Sequence, residues 1–489
     1  MKYGRGSIMS AFSEMLLNEM NENNMSVMRV SACANISRSI VTKIVNGQKI
    51  PTLDELTAIM NVIPISKAKK YSLMQELDIA RFGSLGCRQL DEIVQRNELS
   101  SPFTKLSMQQ MEIQHNDKWN ISKKENGIRM LKTRTEVLLY VLEAVKREVK
   151  HNSAPMVYTN FSSDNKILQE SIISILANVS DKVNFKICTQ ITKKERKGNL
   201  GNFLKILDCA PFYIGSGDIL YEYTSERSDV LPFGFSDYII LSNEAIFANE
   251  NLDRALVVTD KETVSDFTDM CQLRINGMRS LVRRYSSIFD LFDFIRKATK
   301  PLSYVCYFQH APCVVPFIEY DQMQQIANTE FPEVEAVLPS LYEYYNAYKD
   351  RLKMGAFTRK GLYDFANTGM LYDFPEEYIT PASVEVRKQI LIKMLNAMRN
   401  GISDFRIINE NFIDFSIDTM IDYMKDCQLM FSMTPSSAAD FSGQVGVVAD
   451  EATLLEEASN FFDMLFESRY LYTRAQSEEI IVQCINEIK

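Results

Sequence analysis

Over residues 26–51, SVMRVSACANISRSIVTKIVNGQKIP, apolar positions recur at helical spacing in two short blocks separated by a tight turn. Ser26 suits an N-cap, and Val30, Ala34 and Ile36 supply one apolar face and the turn. Ser37 caps a second helix whose inward face is Val41 and Ile44 and whose outer face is Arg38, Ser39, Thr42 and Lys43. Asn46-Gly47 ends that helix, because glycine takes the left-handed cap conformation without a Cβ clash. A helix over 52–60 follows, and a fifth is expected at 64–71. A second helix with a small, polar, basic outer face is what a DNA major groove accepts.

The pattern then loosens. Residues 83–127 hold Gly83, Gly86, Pro102, Trp119 and a polar run, which reads as a connector with a short helix at 89–98. From residue 128 the period alternates between helix and strand. An amphipathic helix is expected over 128–151, with Leu131, Val137, Leu138, Val141, Leu142 and Val145 on its apolar side. Strands are expected at 156–160, 183–189, 219–224, 237–241, 245–248 and 255–259, with a helix near 166–178 and a long one over 261–284. Such alternation predicts α/β layering.

Part of this order returns. Asp237-Tyr-Ile-Ile-Leu-Ser242 is echoed by Asp426-Cys-Gln-Leu-Met-Phe-Ser432, and Val257-Val-Thr-Asp-Lys-Glu-Thr263 by Val447-Val-Ala-Asp-Glu-Ala-Thr453. The shared offset and order point to an internal duplication. In each copy an acid, Asp260 or Asp450, is placed to cap the helix after the strand. The fold class is therefore multidomain: an all-α five-helix head over 8–82, a connector over 83–127, and an α/β (α+β) body of two repeats, 128–300 and 301–489.

Charge sharpens the division. The chain carries a net −9, yet residues 1–71 hold nine Lys/Arg against five Asp/Glu, which leaves 45 basic and 58 acidic groups for the rest. A mildly basic head on an acidic body fits one DNA-facing module attached to a part that avoids DNA. The nine cysteines include no C-x-x-C pair and match no metal-ligand or disulfide spacing, so a reducing cytoplasm is the expected compartment and no metal or cofactor is expected. No apolar run is long enough for a bilayer span, so no membrane partner is expected.

The residues from 8 to 71 resemble the helix-turn-helix of the XRE family, the phage-repressor and Cro type. The resemblance rests on the Ile-Ser-Arg-Ser start, on Val41-Thr-Lys-Ile44 and on the exit from Asn46 to Pro51. It implies a bacterial DNA-binding regulator whose base-reading positions are Arg38, Ser39 and Lys43, supported by Ser37 and Thr42, with Asn46 and Lys49 near phosphates. Val27 stands where the family has a backbone-touching Gln, and Val45 where it has a Glu, so one phosphate contact and one internal ion pair are expected to be missing. The GLYDFANTGMLYDFPEEYITP stretch from Gly361 is similar to a segment of XRE-type regulators.

The body loosely resembles the duplicated, catalytically silent phospholipase-D-like domains of some regulators. That chemistry needs H-x-K-x-x-x-x-D, and His115, His151 and His310 all lack it. No phosphate loop occurs either. His310 reads as a satisfied core or edge histidine. Arg283-Arg284 is placed at a helix C-terminus, and the Lys193–Lys197 cluster on a solvated loop. The Tyr-rich run from Leu341 to Tyr348 reads as a helix with core or interface aromatics.

The expected function is a sequence-specific, homodimeric transcriptional regulator of double-stranded DNA. Its recognition helix spans 37–45 and its non-enzymatic body dimerises or senses a small-molecule or peptide effector. Two other readings stay open: a protein-sensing interaction module tethered to DNA, and an enzyme fused to a DNA-binding head.

Overall fold

The computed structural model of the chain describes residues 10–99, 127–160, 172, 175, 183–192, 200–209, 217–224, 234–285, 304–349, 351–374, 376–413, 419–433 and 446–489. Five helices form the head: α1 (Ala11–Glu22), α2 (Val27–Ala34), α3 (Arg38–Val45), α4 (Leu53–Val62) and α5 (Lys67–Leu99). Ser10, Ser26, Ser37 and Thr52 cap the first four, each side chain accepting a backbone N–H three residues on. Their inward stripes meet in one core that includes Phe12, Leu16, Val30, Val41, Ile44, Leu56, Ile59, Leu73 and Leu77. The helix expected at 64–71 begins at Lys67 and does not stop near Tyr71. It bends at Gly83, whose φ of +74° interrupts the helical backbone, and runs on through residues 83–99. The rest of the expected connector, including Trp119, lies outside the described residues.

The body holds two sheets. The strands of the first are β1 (Ile128–Leu131), β2 (Met156–Thr159), β3 (Asn184–Thr192), β4 (Asp218–Thr224), β5 (Asp237–Leu241), β6 (Ala245–Ala248), β7 (Ala255–Val258) and β8 (Arg279–Ser280). Those of the second are β9 (Arg283–Tyr285), β10 (Val305–Gln309), β11 (Leu352–Phe357), β12 (Asp404–Ile407), β13 (Thr419–Met424), β14 (Gln428–Met433) and β15 (Gly446–Ala449). The first is ordered β1-β7-β6-β5-β2-β3-β4-β8; the second, read from its far edge, is β9-β15-β14-β13-β10-β11-β12. Setting β8 aside, the two orders are the same. In each, a central strand pairs in parallel with the next strand in sequence and antiparallel with the first strand of a three-stranded meander. This is the architecture of a duplicated α/β unit.

Several local expectations are corrected. Residues 128–131 are an edge strand, pairing with β7, and not the start of a helix. The helix begins only after Thr133, whose side chain caps α6 (Arg134–His151). The long helix expected over 261–284 ends at Gly277, so Arg283-Arg284 lies on β9, paired with β15. Glycine is a poor helix former, and the chain then turns into two short strands. Asp260 caps its helix as expected, but Glu451 and not Asp450 caps the second, accepting from Leu454 N–H. Asp450 binds Arg283 instead. The Val257/Val447 echo matches β7 with β15, which hold the same place in their sheets. The Asp237/Asp426 echo does not, since it sets β5 against β14, whose topological counterpart is β6. Of the helix expected over 166–178, Ile172 and Ile175 are described and both are helical. The 193–197 cluster lies outside the described residues.

The inner faces of the two sheets share one core. Val157, Ile187 and Ile239 of the first meet Phe308, Ile421 and Phe431 of the second around α6, α7 (Gly201–Cys209) and α13 (Ala452–Phe466). The C-terminal half of α5 enters the same core through Leu90, Ile93 and Val94. The outer face of the first sheet packs on α8 (Lys261–Gly277). That of the second packs on α9 (Tyr320–Ile326), α10 (Pro332–Lys349), α11 (Arg359–Thr368), α12 (Val384–Arg399) and α14 (Arg474–Glu487). The Tyr-rich run is the second half of α10.

Candidate nucleic-acid interface

Local capping chemistry sets the geometry of α2 and α3. Ser26 opens α2, and Asn35 closes it in the left-handed conformation (φ 55°, ψ 38°), which asparagine tolerates better than most residues. Ser31 Oγ donates to Ile36 O at 2.6 Å across the turn. Ser37 then opens α3 by accepting Ile40 N–H at 3.3 Å. Gly47, with φ +69°, takes the left-handed place after the cap residue Asn46. Val41, Ile44 and Val45 of α3 are buried, and Ser13 Oγ of α1 donates to Ile44 O at 3.0 Å, which fixes the end of α3 against the head.

What remains outside α3 is polar. Arg38, Ser39, Lys43 and Asn46 are exposed, and Thr42 is half-buried. These are five of the seven residues singled out from the sequence, and they lie on or just past one helix face. The other two are engaged within the head. Ser37 caps the helix, and Lys49 Nζ pairs with Glu55, whose carboxylate also accepts Thr52 N–H in a capping box. Thr42 Oγ1 donates to Arg38 O at 2.8 Å, which ties its hydroxyl back to the helix.

Electrostatics set this surface apart. Between Glu22 and Asp54 the chain has four basic residues, Arg29, Arg38, Lys43 and Lys49, and no acidic one. Arg29, Arg38 and Lys43 are exposed and have no ion-pair partner among the described residues. Arg29 was not among the residues singled out from the sequence, although its position on the outer face of α2 follows from the helical period. Val27 packs against the head core and Val45 is part of it. Lys49–Glu55 supplies an ion pair at another place.

The head is fastened to the body by groups far apart in sequence. Arg469, just after α13, reaches Asp78 at 2.7 Å and Asp91 at 2.9 Å, both on α5, and Tyr470 donates to Asp91 at 2.7 Å. Arg469 and Asp78 are almost wholly buried. Burial pushes the Asp78 carboxyl up to about 6 despite the opposing pull of Arg469. Arg81 bridges Pro51 O, at the exit of the α3 loop, and the Glu467 backbone of the body. Tyr71 stacks on Phe412 with centroids 5.0 Å apart. A chain of contacts thus runs from the body to the loop that follows α3.

No protein-family model matches the chain, and no curated protein matches it. Similar solved structures include TrmBL2, an archaeal chromatin protein with a novel mode of DNA binding, at 15% identity over 46% of this chain and 87% of that one, with a TM-score of 0.23. Another is phosphatidylserine synthase from Haemophilus influenzae Rd KW20, at 10% identity over 74% of this chain and 92% of that one, with a TM-score of 0.23. At these scores neither likeness carries a functional argument. Among the described residues no helix is long and apolar enough to cross a membrane, and no group of three or more metal-ligating side chains occurs.

His310 follows β10 directly. Its Nδ1 lies 3.3 Å from Thr358 Oγ1, its Nε2 lies 3.5 Å from Asp364, and its ring meets Tyr372 edge-on. The Thr358 hydroxyl donates to His310 O at 2.8 Å and accepts Gly361 N–H at 2.8 Å, capping α11. Both of these bonds are structural, which leaves that hydroxyl badly placed as a nucleophile.

Proposed function

We propose that the protein is a sequence-specific DNA-binding transcriptional regulator. In this reading α2 crosses the DNA backbone while α3 enters the major groove. Arg38 reads a guanine edge, a contact worth roughly 1–3 kcal/mol of discrimination when bidentate. Ser39, Thr42 and Lys43 face neighbouring base edges, and Arg29 and Asn46 meet phosphates. Lys49 holds the exit loop through Glu55 and reaches phosphate only by leaving that pair. The observation that carries the reading is the acid-free stretch between Glu22 and Asp54, from which three basic side chains without an ion-pair partner among the described residues project on two capped helices.

The protein acts as a homodimer on paired half-sites, because one small module gives limited affinity. Its body is regulatory and not catalytic, and it works in the cytoplasm. It senses an effector and passes the response to the head through the Arg469 and Arg81 contacts. Fluorescence anisotropy on duplex DNA at rising salt tests this. Arg29→Ala reduces the slope of log affinity against log salt by about 1, as expected for one lost phosphate contact. An unchanged slope and affinity for both Lys43→Ala and Arg38→Ala would remove α3 from the interface.

A further inference from the structure

Three contacts fix how α8 crosses the outer face of the first sheet. Phe267 meets Phe247 of β6 edge-on, with ring centroids 4.9 Å apart. One turn on, Cys271 Sγ lies 3.8 Å from the Tyr238 hydroxyl of β5. Arg274 then binds Glu222 of β4, through Nε at 3.1 Å. Because the strands run in the order β6-β5-β2-β3-β4, the helix passes over β2 and β3 between Cys271 and Arg274.

The residue that β3 offers there is a second cysteine. Thr159, at the end of β2, stands opposite Ile239 on one side and Ile187 on the other. One residue further along, Tyr238 and Cys188 therefore flank the end of β2 at the same level. Both turn to the outer face, where Cys188, Tyr238, Cys271 and Ile275 belong to one buried cluster. Cys188 and Cys271 are free thiols, 5% and 7% exposed, and they hydrogen-bond to each other. That bond draws the Cys271 thiol below its ordinary range against the opposing effect of burial, with help from Tyr238 and Arg274. The other face of α8 is open, with Met270 65% and Leu273 74% exposed, so among the described residues no element holds the helix from outside.

We propose that Cys188 and Cys271 form a reversible disulfide in the presence of hydrogen peroxide, a covalent modification that pins α8 to β3. The Cys271 thiolate attacks one peroxide oxygen, the O–O bond breaks, and the leaving hydroxide takes up a proton as water. Cys188 then gives up its proton and its sulfur attacks the Cys271 sulfenic acid. The S–S bond forms, the S–O bond breaks, and a second water leaves. Two thiols are oxidised and the peroxide is reduced to two waters. Sulfurs already in contact close to a bond of about 2.0 Å by side-chain rotation and a small settling of α8. A dithiol reductant reverses the step by thiol–disulfide exchange. In a reducing compartment such a pair is closed only transiently. The chemistry belongs to the first repeat and holds whether or not the head binds DNA.

Peptide mapping of the full chain by mass spectrometry tests the site. Native protein is treated with hydrogen peroxide in the presence of a chelator, and free thiols are then alkylated. Wild type is compared with Cys188→Ser and Cys271→Ser, each checked for folding by circular dichroism. Wild type is expected to yield a peptide pair joined through Cys188 and Cys271, lost on treatment with dithiothreitol and absent from both variants. In Cys188→Ser, Cys271 is expected to remain as a sulfenic acid that dimedone labels, whereas Cys188 in Cys271→Ser stays reduced. Exposed Cys33 reports that the oxidant was sufficient. Oxidised Cys33 with Cys188 and Cys271 unlinked, or a link that appears only after unfolding in urea, overturns the proposal.

Discussion

In the first sheet the central strand β2 turns Tyr158 to the outer face, opposite Ile240, and Asn184 donates a hydrogen bond to its hydroxyl at 3.1 Å. In the second sheet β10 turns Tyr307 to the outer face, opposite Asp422, and the hydroxyl has no side-chain hydrogen-bond partner among the described residues. The strand order is the same and the local chemistry is opposite. One outer face is closed with apolar packing and a satisfied tyrosine. The other carries two half-buried acids, and its buried tyrosine hydroxyl has no hydrogen-bond partner among the described residues, an arrangement that costs stability. The helices after the meanders diverge as well. After β7, α8 packs on the outer face; after β15, α13 turns inward, and Arg469 just beyond it clasps α5 of the head. The second repeat carries the buried ion-pair link to the head.

Substitutions that treat the two repeats unequally test this asymmetry. The largest effect belongs to Arg469→Met, which strands Asp78 as a buried acid and costs roughly 3–5 kcal/mol in urea denaturation. Arg274→Met in the first repeat breaks a partly exposed pair with Glu222 and costs less than about 1 kcal/mol. Equal losses at the two positions would remove the special place given to Arg469.

The pH dependence of stability comes next. Asp373 and Asp422 have folded values near 7, above their ordinary carboxylate value of 3.8, so the folded state binds their protons more tightly. Their contribution is fully present below about pH 4 and is lost as pH rises through about 7. The groups facing them, Tyr307, Tyr344, Tyr345 and Cys313, are pushed upward by burial and stay neutral in that window. Asp422→Asn is therefore more stable than wild type by on the order of 2 kcal/mol at pH 8, with no gain at pH 4. Thermal melts across pH measure the difference. It isolates this pair from Glu457, which is also pushed up to about 7 by burial. A gain independent of pH would contradict the assignment.

The smallest contrast is between the two tyrosines. Tyr158→Phe loses a hydrogen bond and costs about 1 kcal/mol, whereas Tyr307→Phe removes an unsatisfied hydroxyl and is neutral or stabilising by up to about 1 kcal/mol. Chemical denaturation of both variants resolves the sign.

The head was readable because its signals are local. Ser26, Ser37 and Gly47 each act within four residues of themselves, and the period of α3 separates Val41 and Ile44 from Arg38 and Lys43. The four residues of β1 are too few to distinguish strand from helix, and its pairing with β7, more than 120 residues away, decides the matter. The same holds for the clasp, since nothing near Asp78 announces Arg469 some 390 residues later. The duplication was visible at β7 and β15. The other echo failed because short apolar strand sequences resemble one another whatever their place in a sheet. The acid pair was unreadable, because Asp373 lies in a turn, Asp422 alternates normally along a strand, and only the folding of the outer face brings them together.

Selection of bound sequences from a random duplex pool, with wild type and Arg38→Ala in parallel, tests the DNA-binding reading most directly. The account predicts a short inverted repeat enriched by wild type and lost or relaxed at a guanine position in the variant. No enriched sequence, with the two proteins behaving alike, would contradict it.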